Sequence, residues 1–586
     1  MTAPPPLSSN DLAKYFPARR DQPIKPGVFE LGLCLGGTVS AGAYTGGVLD
    51  YLVEALDAWT ADKERGVPEA PPHEVVISTV AGTSGGAING AILLRAAGWE
   101  FDHGPSDDNP FFSSWTSGVD LMKLLSTAPD GDAIGLASVF NCASIDAQAA
   151  QTIAYEGRRL GSGGSPGQRS YLTDPLRLIM MVGNVTGLPY SIPMSGASGL
   201  SHDLVAHADF VRFALTVAGG VPNPPPSRPD EFPVVSASPL NWDQLQKASL
   251  ATSAFPLAFR SRLLSRAMAV CGYRAIAVPP ETLQDPPRVL QLIPKWDVLS
   301  AGEPNPRIAN FVNVDGGTTN NEPLDAVRTS LAGLDGRNPR KPGEADRAVV
   351  LIDPFSDPEA LGPHVPPSLA GLALPFIMSL VYQARYKPAD IALAQDETVY
   401  SRYLIAPVGP VASDGSRAIG ARAIASGGLG GFLGFVDRSF LQYDYALGRR
   451  NAYDFLKSHL ALPEAANNPI FRSWTNDHLR DYRFTANGNN YLPLVPLMPR
   501  LRDTPPTLPQ WPLLSEFPTA LPNAIGARLD TVYELAKAAG QPDSWVKRAI
   551  MSSYLWLGWK FYLRGALHDG AVNAIQSALR QQGLMQ

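Results

Sequence analysis

The chain has 586 residues and a formal charge of −6 at pH 7, a balance that argues against a nucleic-acid surface, and no Lys/Arg cluster opposes it. Its length leaves material for roughly two to four domains and a large core. Three scattered cysteines, Cys34, Cys142 and Cys271, have neither metal-ligand spacing nor the pairing of a disulfide framework. A reducing, cytoplasmic compartment is therefore expected, with no metal and no cofactor.

Residues 1–27 are polar and proline-rich without an apolar signal segment, and read as a flexible leader. An apolar strand over 30–35 runs into the small-residue loop Gly36-Gly37-Thr38-Val39-Ser40-Ala41-Gly42. Beyond it Tyr44, Val48, Leu52 and Leu56 recur at four-residue spacing, which predicts a helix that starts near Ala41 and lays one stripe on a sheet. The β-branched run over 75–80 predicts a buried strand and 87–94 a helix, with Gly82-Thr83-Ser84-Gly85-Gly86 between them. Residues 100–247, with Gly/Ser-rich 161–167 and Pro-rich 222–229, read as helical segments and loops covering the sheet. A strand over 311–314 delivers Asp315 to its C-terminal end ahead of Gly316-Gly317, and 348–352 is another strand.

From 356 onward the pattern is mostly helical. The most apolar stretches, 369–386 and 554–563, fall short of the ~18–20 apolar residues of a spanning helix. They read first as buried helices and second as surfaces for peripheral membrane contact. The expected architecture is α/β: a three-layer unit over 28–355 with helices on both sides of a mostly parallel sheet, followed by a mainly helical extension over 356–586.

The chemistry concentrates at three strand ends. Ser84, between Gly82 and Gly86, has the pattern of a nucleophile elbow, where a strained turn exposes the hydroxyl at a helix N-terminus. The Gly36-Gly37-Thr38 loop leaves backbone amides available to a developing oxyanion. Asp315, at a strand end, is the candidate base. A dinucleotide loop is the competing reading of the glycines, but the spacing is not G-x-G-x-x-G and no acidic residue follows a second strand. A histidine base is the competing reading of Asp315; His364, His459 and His478 qualify by chain order, and none sits in a recognisable strand-end loop.

These residues resemble the patatin-like phospholipases in four ordered blocks. They are the Gly36-Gly37 loop with Gly42-Ala43-Tyr44-Thr45-Gly46-Gly47-Val48-Leu49, the Gly82 to Gly86 elbow, the stretch from Ala248 through Thr252 and Pro256 to Phe259, and Asp315-Gly316-Gly317 with Asn320, Asn321 and Pro323. Gly431 to Phe435, Asp444 and Leu447 to Asn451 resemble, more weakly, the long bacterial members. The resemblance implies a patatin-like three-layer fold and a lipase or phospholipase that cleaves lipid acyl esters. It also implies a Ser84–Asp315 dyad without histidine, an oxyanion loop at Gly36, Gly37 and Thr38, and no cofactor. Lipid or phospholipid esters are the implied substrates. One departure stands out: the family loop reads Gly-Gly-Gly-x-Arg/Lys-Gly, whereas this one is a residue longer and lacks the cation. Acyl transfer to an acceptor other than water, or a gated or non-catalytic effector role for the same body, are the alternatives. The hydroxyls of Ser249, Thr252 and Ser253 read as caps or packing.

Overall fold

In the computed structural model the described residues are all except 1–3, 24, 26, 131–134, 161–166, 194–200, 217–227, 237, 283–284, 286, 302–306, most of 357–397 and 540–563. The expectations for 161–166, 222–227, 369–386 and 554–563 lie largely or wholly outside them.

The sheet is ten-stranded among the described residues. Its strands, in chain order, are β1 Phe29–Leu35, β2 Val75–Thr83, β3 Leu172–Pro193, β4 Ser201–Thr216, β5 Glu231–Val235, β6 Arg262–Ala267, β7 Ile293–Pro294, β8 Ile308–Asp315, β9 Arg347–Ile352 and β10 Arg402–Ile405. The spatial order is β10-β9-β1-β2-β3-β8-β6, with β4 and β7 also on β3 and β5 on β4. From β10 to β3 every pairing is parallel, and β1 and β2 are buried along their whole length, as two-sided coverage by helices requires. Beyond β3 the pairings with β4, β7 and β8, and of β8 with β6, are antiparallel.

Among the described residues the helices of nine or more residues are α1 Gly42–Glu64, α2 Gly85–Ala96, α3 Ala143–Ile153, α4 Trp242–Thr252, α5 Leu324–Ala332, α6 Arg438–Ser458, α7 Leu521–Ala539 and α8 Arg564–Gln581. Alternation along β3 separates the two faces of the sheet. Leu178, Met180 and Val182 join the large core with α1 and α2, while Ile179 and Met181 join a smaller one with Leu324, Val327 and Leu331 of α5.

Three expectations change. The region 100–247, expected as covering segments, supplies β3 and β4. The run from Leu178 to Val182 is continuously apolar because a strand covered on both faces has no alternation to show. Helix α1 is buried almost all round instead of along one stripe, because α6 crosses its outer side. There a Cβ on Gly47 would strike the Tyr445 carbonyl and one on Gly448 the Tyr44 carbonyl, so the two backbones meet at paired glycines.

The crossing is fastened by Asp50 of α1, which is fully buried. It pairs with Arg449 and accepts from Tyr445 (2.6 Å), Asn109 (2.9 Å) and His103 (2.7 Å). Although burial opposes it, Arg449 and His103 hold its pKa down at about 2. The region after 356 therefore shares one core with the preceding unit. Among its described residues it is helical with several short strands.

Third, the described part of the leader is packed against the body. Ser9–Tyr15 is helical with Ser8 capping it, Arg20 pairs with Glu30 at 2.8 Å, and the amides of Leu334 and Asp335 donate to the Pro17 and Ala18 carbonyls. No described helix is long and apolar enough to cross a membrane.

Candidate active site

Ser84 stands between β2 and α2 with φ 51° and ψ −127°, a backbone conformation that costs a non-glycine residue on the order of 1–3 kcal/mol. The surroundings hold it there. A Cβ on Gly82 would lie 2.7 Å from the Ala87 amide nitrogen, and one on Gly86 would strike the Leu35 and Gly36 carbonyls. Strand, helix and loop thus approach too closely for any larger residue at Gly82 or Gly86. Ser84 is only 5% exposed, and the first-turn amides of α2 that follow it are the orphan donors of a helix start.

The Ser84 amide donates to Thr252 Oγ1 at 2.9 Å, and that hydroxyl donates to the Met181 carbonyl at 2.5 Å. Thr252, at the end of α4 and fully buried, therefore ties the elbow to β3. In sequence Thr252 reads as a cap or packing residue. Its neighbours behave that way: Ser249 Oγ donates to Leu245 O and Ser253 Oγ to Ser249 O, within the helix. The signal that separates Thr252 is its place beside an alanine-rich helix end that the family block already marks.

Asp315 ends β8, where an Asp-Gly-Gly turn follows. Its Oδ1 accepts from the Gly317 amide at 2.7 Å, and its own amide donates to the Ala254 carbonyl at 2.9 Å. A Cβ on Gly316 would strike the Met181 carbonyl, so the turn presses onto β3. Burial lifts the Asp315 carboxyl from 3.8 to about 6, while hydrogen bonds from Ser84 and from the Gly317 amide pull the other way.

Register explains why two residues more than two hundred positions apart share a site. Thr83 lies opposite Met181 and Asp315 opposite Val182, so one strand, β3, separates the strands that carry them. Ser84 and Asp315 both line a cavity of about 120 Å³ whose walls are mainly apolar, including Ile88, Trp115, Ile145, Leu250, Phe255 and Phe259.

No histidine lines that cavity among the described residues. His73 is buried against Trp474 and the Leu494 carbonyl, its pKa pushed down to about 3 by burial. His103 sits between Asp50 and Asp57, and against the opposing effect of burial their carboxylates raise it to about 9. His478 caps a helix, and His364 lies outside the described residues.

The loop before α1 departs from expectation. The Gly36 amide donates to the Ile352 carbonyl at 3.0 Å and the Gly37 amide to the Asn321 carbonyl at 3.1 Å, so two of the three expected donors are committed to the backbone of β9 and of the Asp315 turn. Among the described residues Thr38 and Val39 carry no such amide bond. Val39 has φ 48°, a strained value for a β-branched residue, and it lines the cavity beside Ser84 and Gly85. A Cβ on Gly85 would collide with Thr38 Oγ1 and come within 3.0 Å of the Val39 carbonyl, so loop and helix start are in contact.

The C-terminal region braces this loop. Ser40 Oγ donates to the Gly431 carbonyl, and a Cβ on Gly431 would come within 3.0 Å of the Thr38 carbonyl. Phe432 stacks on Phe259 with ring centres 5.8 Å apart, over the cavity wall. Asp444, its carboxyl pushed up to about 7 by burial, accepts from the Ala425 and Ser426 amides and anchors the segment. Of the residues that resemble the long bacterial members, Gly431 and Gly434 meet the loop, and Gly448, Arg449 and Asn451 meet α1.

Residues 33–328 match the family model described as patatin-like phospholipase. The chain is also similar to an uncharacterised protein, y4iI, of Sinorhizobium fredii. The two are 32% identical over 563 residues, which covers 86% of this chain and 75% of the relative.

Proposed function

We propose that this chain, which belongs to the patatin-like phospholipase family, hydrolyses carboxylic ester bonds of lipids with Ser84 as nucleophile and Asp315 as its base. The family carries lipid acyl hydrolysis in general; the assignment of residues rests on one observation. A buried serine hydroxyl and a buried carboxyl raised to about 6 line the same apolar cavity, with no imidazole on its described walls. A carboxylate of that pKa is ionised at neutral pH and a better proton acceptor than an exposed one.

As Ser84 Oγ attacks the ester carbonyl carbon, Asp315 takes its proton. The amides of Thr38, Val39 and Gly85 face the carbonyl oxygen as it becomes an oxyanion, and the N-terminus of α2 favours the same charge. In this reading Gly36 and Gly37 shape the loop instead of donating. Collapse of the tetrahedral intermediate expels the alcohol, which leaves with the proton from Asp315. Water then attacks the acyl-enzyme while Asp315 accepts its proton, and the second collapse returns that proton to Ser84 Oγ and releases the acid.

At about 120 Å³ the cavity is small against the roughly 300–1,000 Å³ that enclose a drug-sized ligand, so a short-chain ester is the first substrate to try. The test is turnover of 4-nitrophenyl butyrate and labelling by a fluorophosphonate, in the wild type and in Ser84→Ala. Both activities in the wild type and neither in the variant are expected. Turnover or labelling that survives in Ser84→Ala sinks the assignment.

The brace of Gly431 and Phe432 on the oxyanion loop and cavity wall favours one second reading, in which the C-terminal region gates the site until a ligand or partner shifts it. A wild type that labels with fluorophosphonate but does not turn over ester would point there.

A further inference from the structure

The other face of the sheet holds a larger cavity, of about 700 Å³, between the N-terminal helix, β3, β4 and α5. Alternation along β3 separates the two sites: Arg177, Ile179 and Met181 line this cavity, while Leu178, Met180 and Val182 belong to the core on the Ser84 side.

Its charge is unbalanced. Arg177, Arg212, Arg228 and Arg274 are on its wall, and Arg266 lies behind them. These five guanidiniums share three carboxylates: Glu231 pairs with Arg177 and Arg228, Asp230 with Arg212 and Arg228, and Asp209 with Arg266 and Arg274. None of the three carboxylates is on the wall, so the cations face the space and the anions back them. Two other carboxylates do line it, each with its own cation: Glu30 pairs with Arg20 of the same wall at 2.8 Å, and Asp325 with Arg328 at 3.3 Å. Lys14, exposed at the rim, adds a cation with no ion pair among the described residues.

Within the cluster Arg212 is the group least provided for. Its Nε is buried and has no hydrogen-bond acceptor among the described residues, with the Asp230 oxygen 3.4 Å away. Burial, and then the neighbouring Arg228, pull its pKa down to about 10. A guanidinium crowded by others and short of an acceptor is a group an anion would relieve.

We propose that this cavity binds a phosphate-bearing anion held by Arg177, Arg212, Arg228 and Arg274. The surplus of five guanidiniums over three carboxylates matches a dianionic phosphate, whose oxygens suit the planar forks of arginine. The volume falls in the range of small-molecule pockets, which leaves room for an organic group beyond the phosphate. The site is independent of the Ser84–Asp315 reading, since it shares no wall residue with that cavity.

The test is isothermal titration of the full chain with inorganic pyrophosphate, ionic strength held constant with sodium chloride. Saturable one-to-one binding is expected, about tenfold weaker in Arg212→Gln and measurably weaker in Lys14→Gln. Lys14 is exposed, so its variant keeps the test open if Arg212→Gln does not fold. A parallel arm measures co-sedimentation with phosphatidate-containing vesicles. Release from them by pyrophosphate assigns the phosphate to a lipid headgroup, and binding of pyrophosphate without vesicle binding assigns it to a soluble ester. No saturable binding by the wild type at about 10 mM pyrophosphate, or affinities unchanged in both variants, overturns the proposal.

Discussion

Replacing Asp315 by Asn is expected to stabilise the fold while ending catalysis. The carboxyl is lifted by burial from 3.8 to about 6. At 1.36 kcal/mol per tenfold change in proton affinity, the folded state carries about 3 kcal/mol of unfavourable free energy once Asp315 is ionised. The folded chain binds this proton more tightly than the unfolded one. The penalty is therefore absent below pH 3.8, grows as pH rises through about 6, and is complete above that. Asparagine has the same shape, carries no charge, and its carbonyl oxygen can still accept from the Gly317 amide, now 2.7 Å from Asp315 Oδ1. The variant should gain up to about 3 kcal/mol at pH 8 and far less near pH 4. With an unfolding entropy of about 2.1 cal/mol/K per residue, that is a Tm rise of about 2–3 °C for the whole chain melting together. Scanning calorimetry at both pH values, with ester turnover alongside, reads it. A lower Tm at pH 8, or the same shift at both, would refute the claim that burial raises this carboxyl.

The same ionisation sets the pH profile. Because Asp315 must be charged to take a proton, kcat/KM on 4-nitrophenyl butyrate should fall about tenfold per pH step below about 6 and level off above it; a flat profile from pH 5 to 8 contradicts a carboxylate base. Thr252→Val strips the acceptor from the Ser84 amide and the donor from the Met181 carbonyl. A loss of about ten- to a hundredfold in kcat with little change in KM is expected, restored by Thr252→Ser; a Tm drop without any change in kcat would leave Thr252 a packing residue. Gly448→Ala pushes a methyl into the Tyr44 carbonyl at the crossing of α1 and α6. Overpacking there should cost about 1–3 kcal/mol or more, read as a lower denaturation midpoint, and an unchanged midpoint would mean the helices slide apart at no cost.

Local chemistry was legible from the chain alone. Glycines on both sides of Ser84, the Asp-Gly-Gly turn at Asp315 and the apolar strands before each have meaning within a dozen residues, because backbone strain and strand-end placement are local properties. The family resemblance and the layered α/β fold follow from them, and so does the proposal that pairs Ser84 with Asp315. Tertiary structure decided what depends on neighbours far along the chain. Strand β3 sets the register between Ser84 and Asp315, yet its unbroken apolar run carries no period to mark it. The amides of Gly36 and Gly37 look free in sequence and are taken by carbonyls of Ile352 and Asn321, nearly three hundred or more residues on. Thr252 reads like any hydroxyl near a helix end until its oxygen is found between Ser84 and Met181. The arginines of the second cavity are scattered from 177 to 274 and become a charged site only when the sheet gathers them. In each case a hydrogen bond or a charge has its meaning from the partner it meets, and only the folded chain selects that partner.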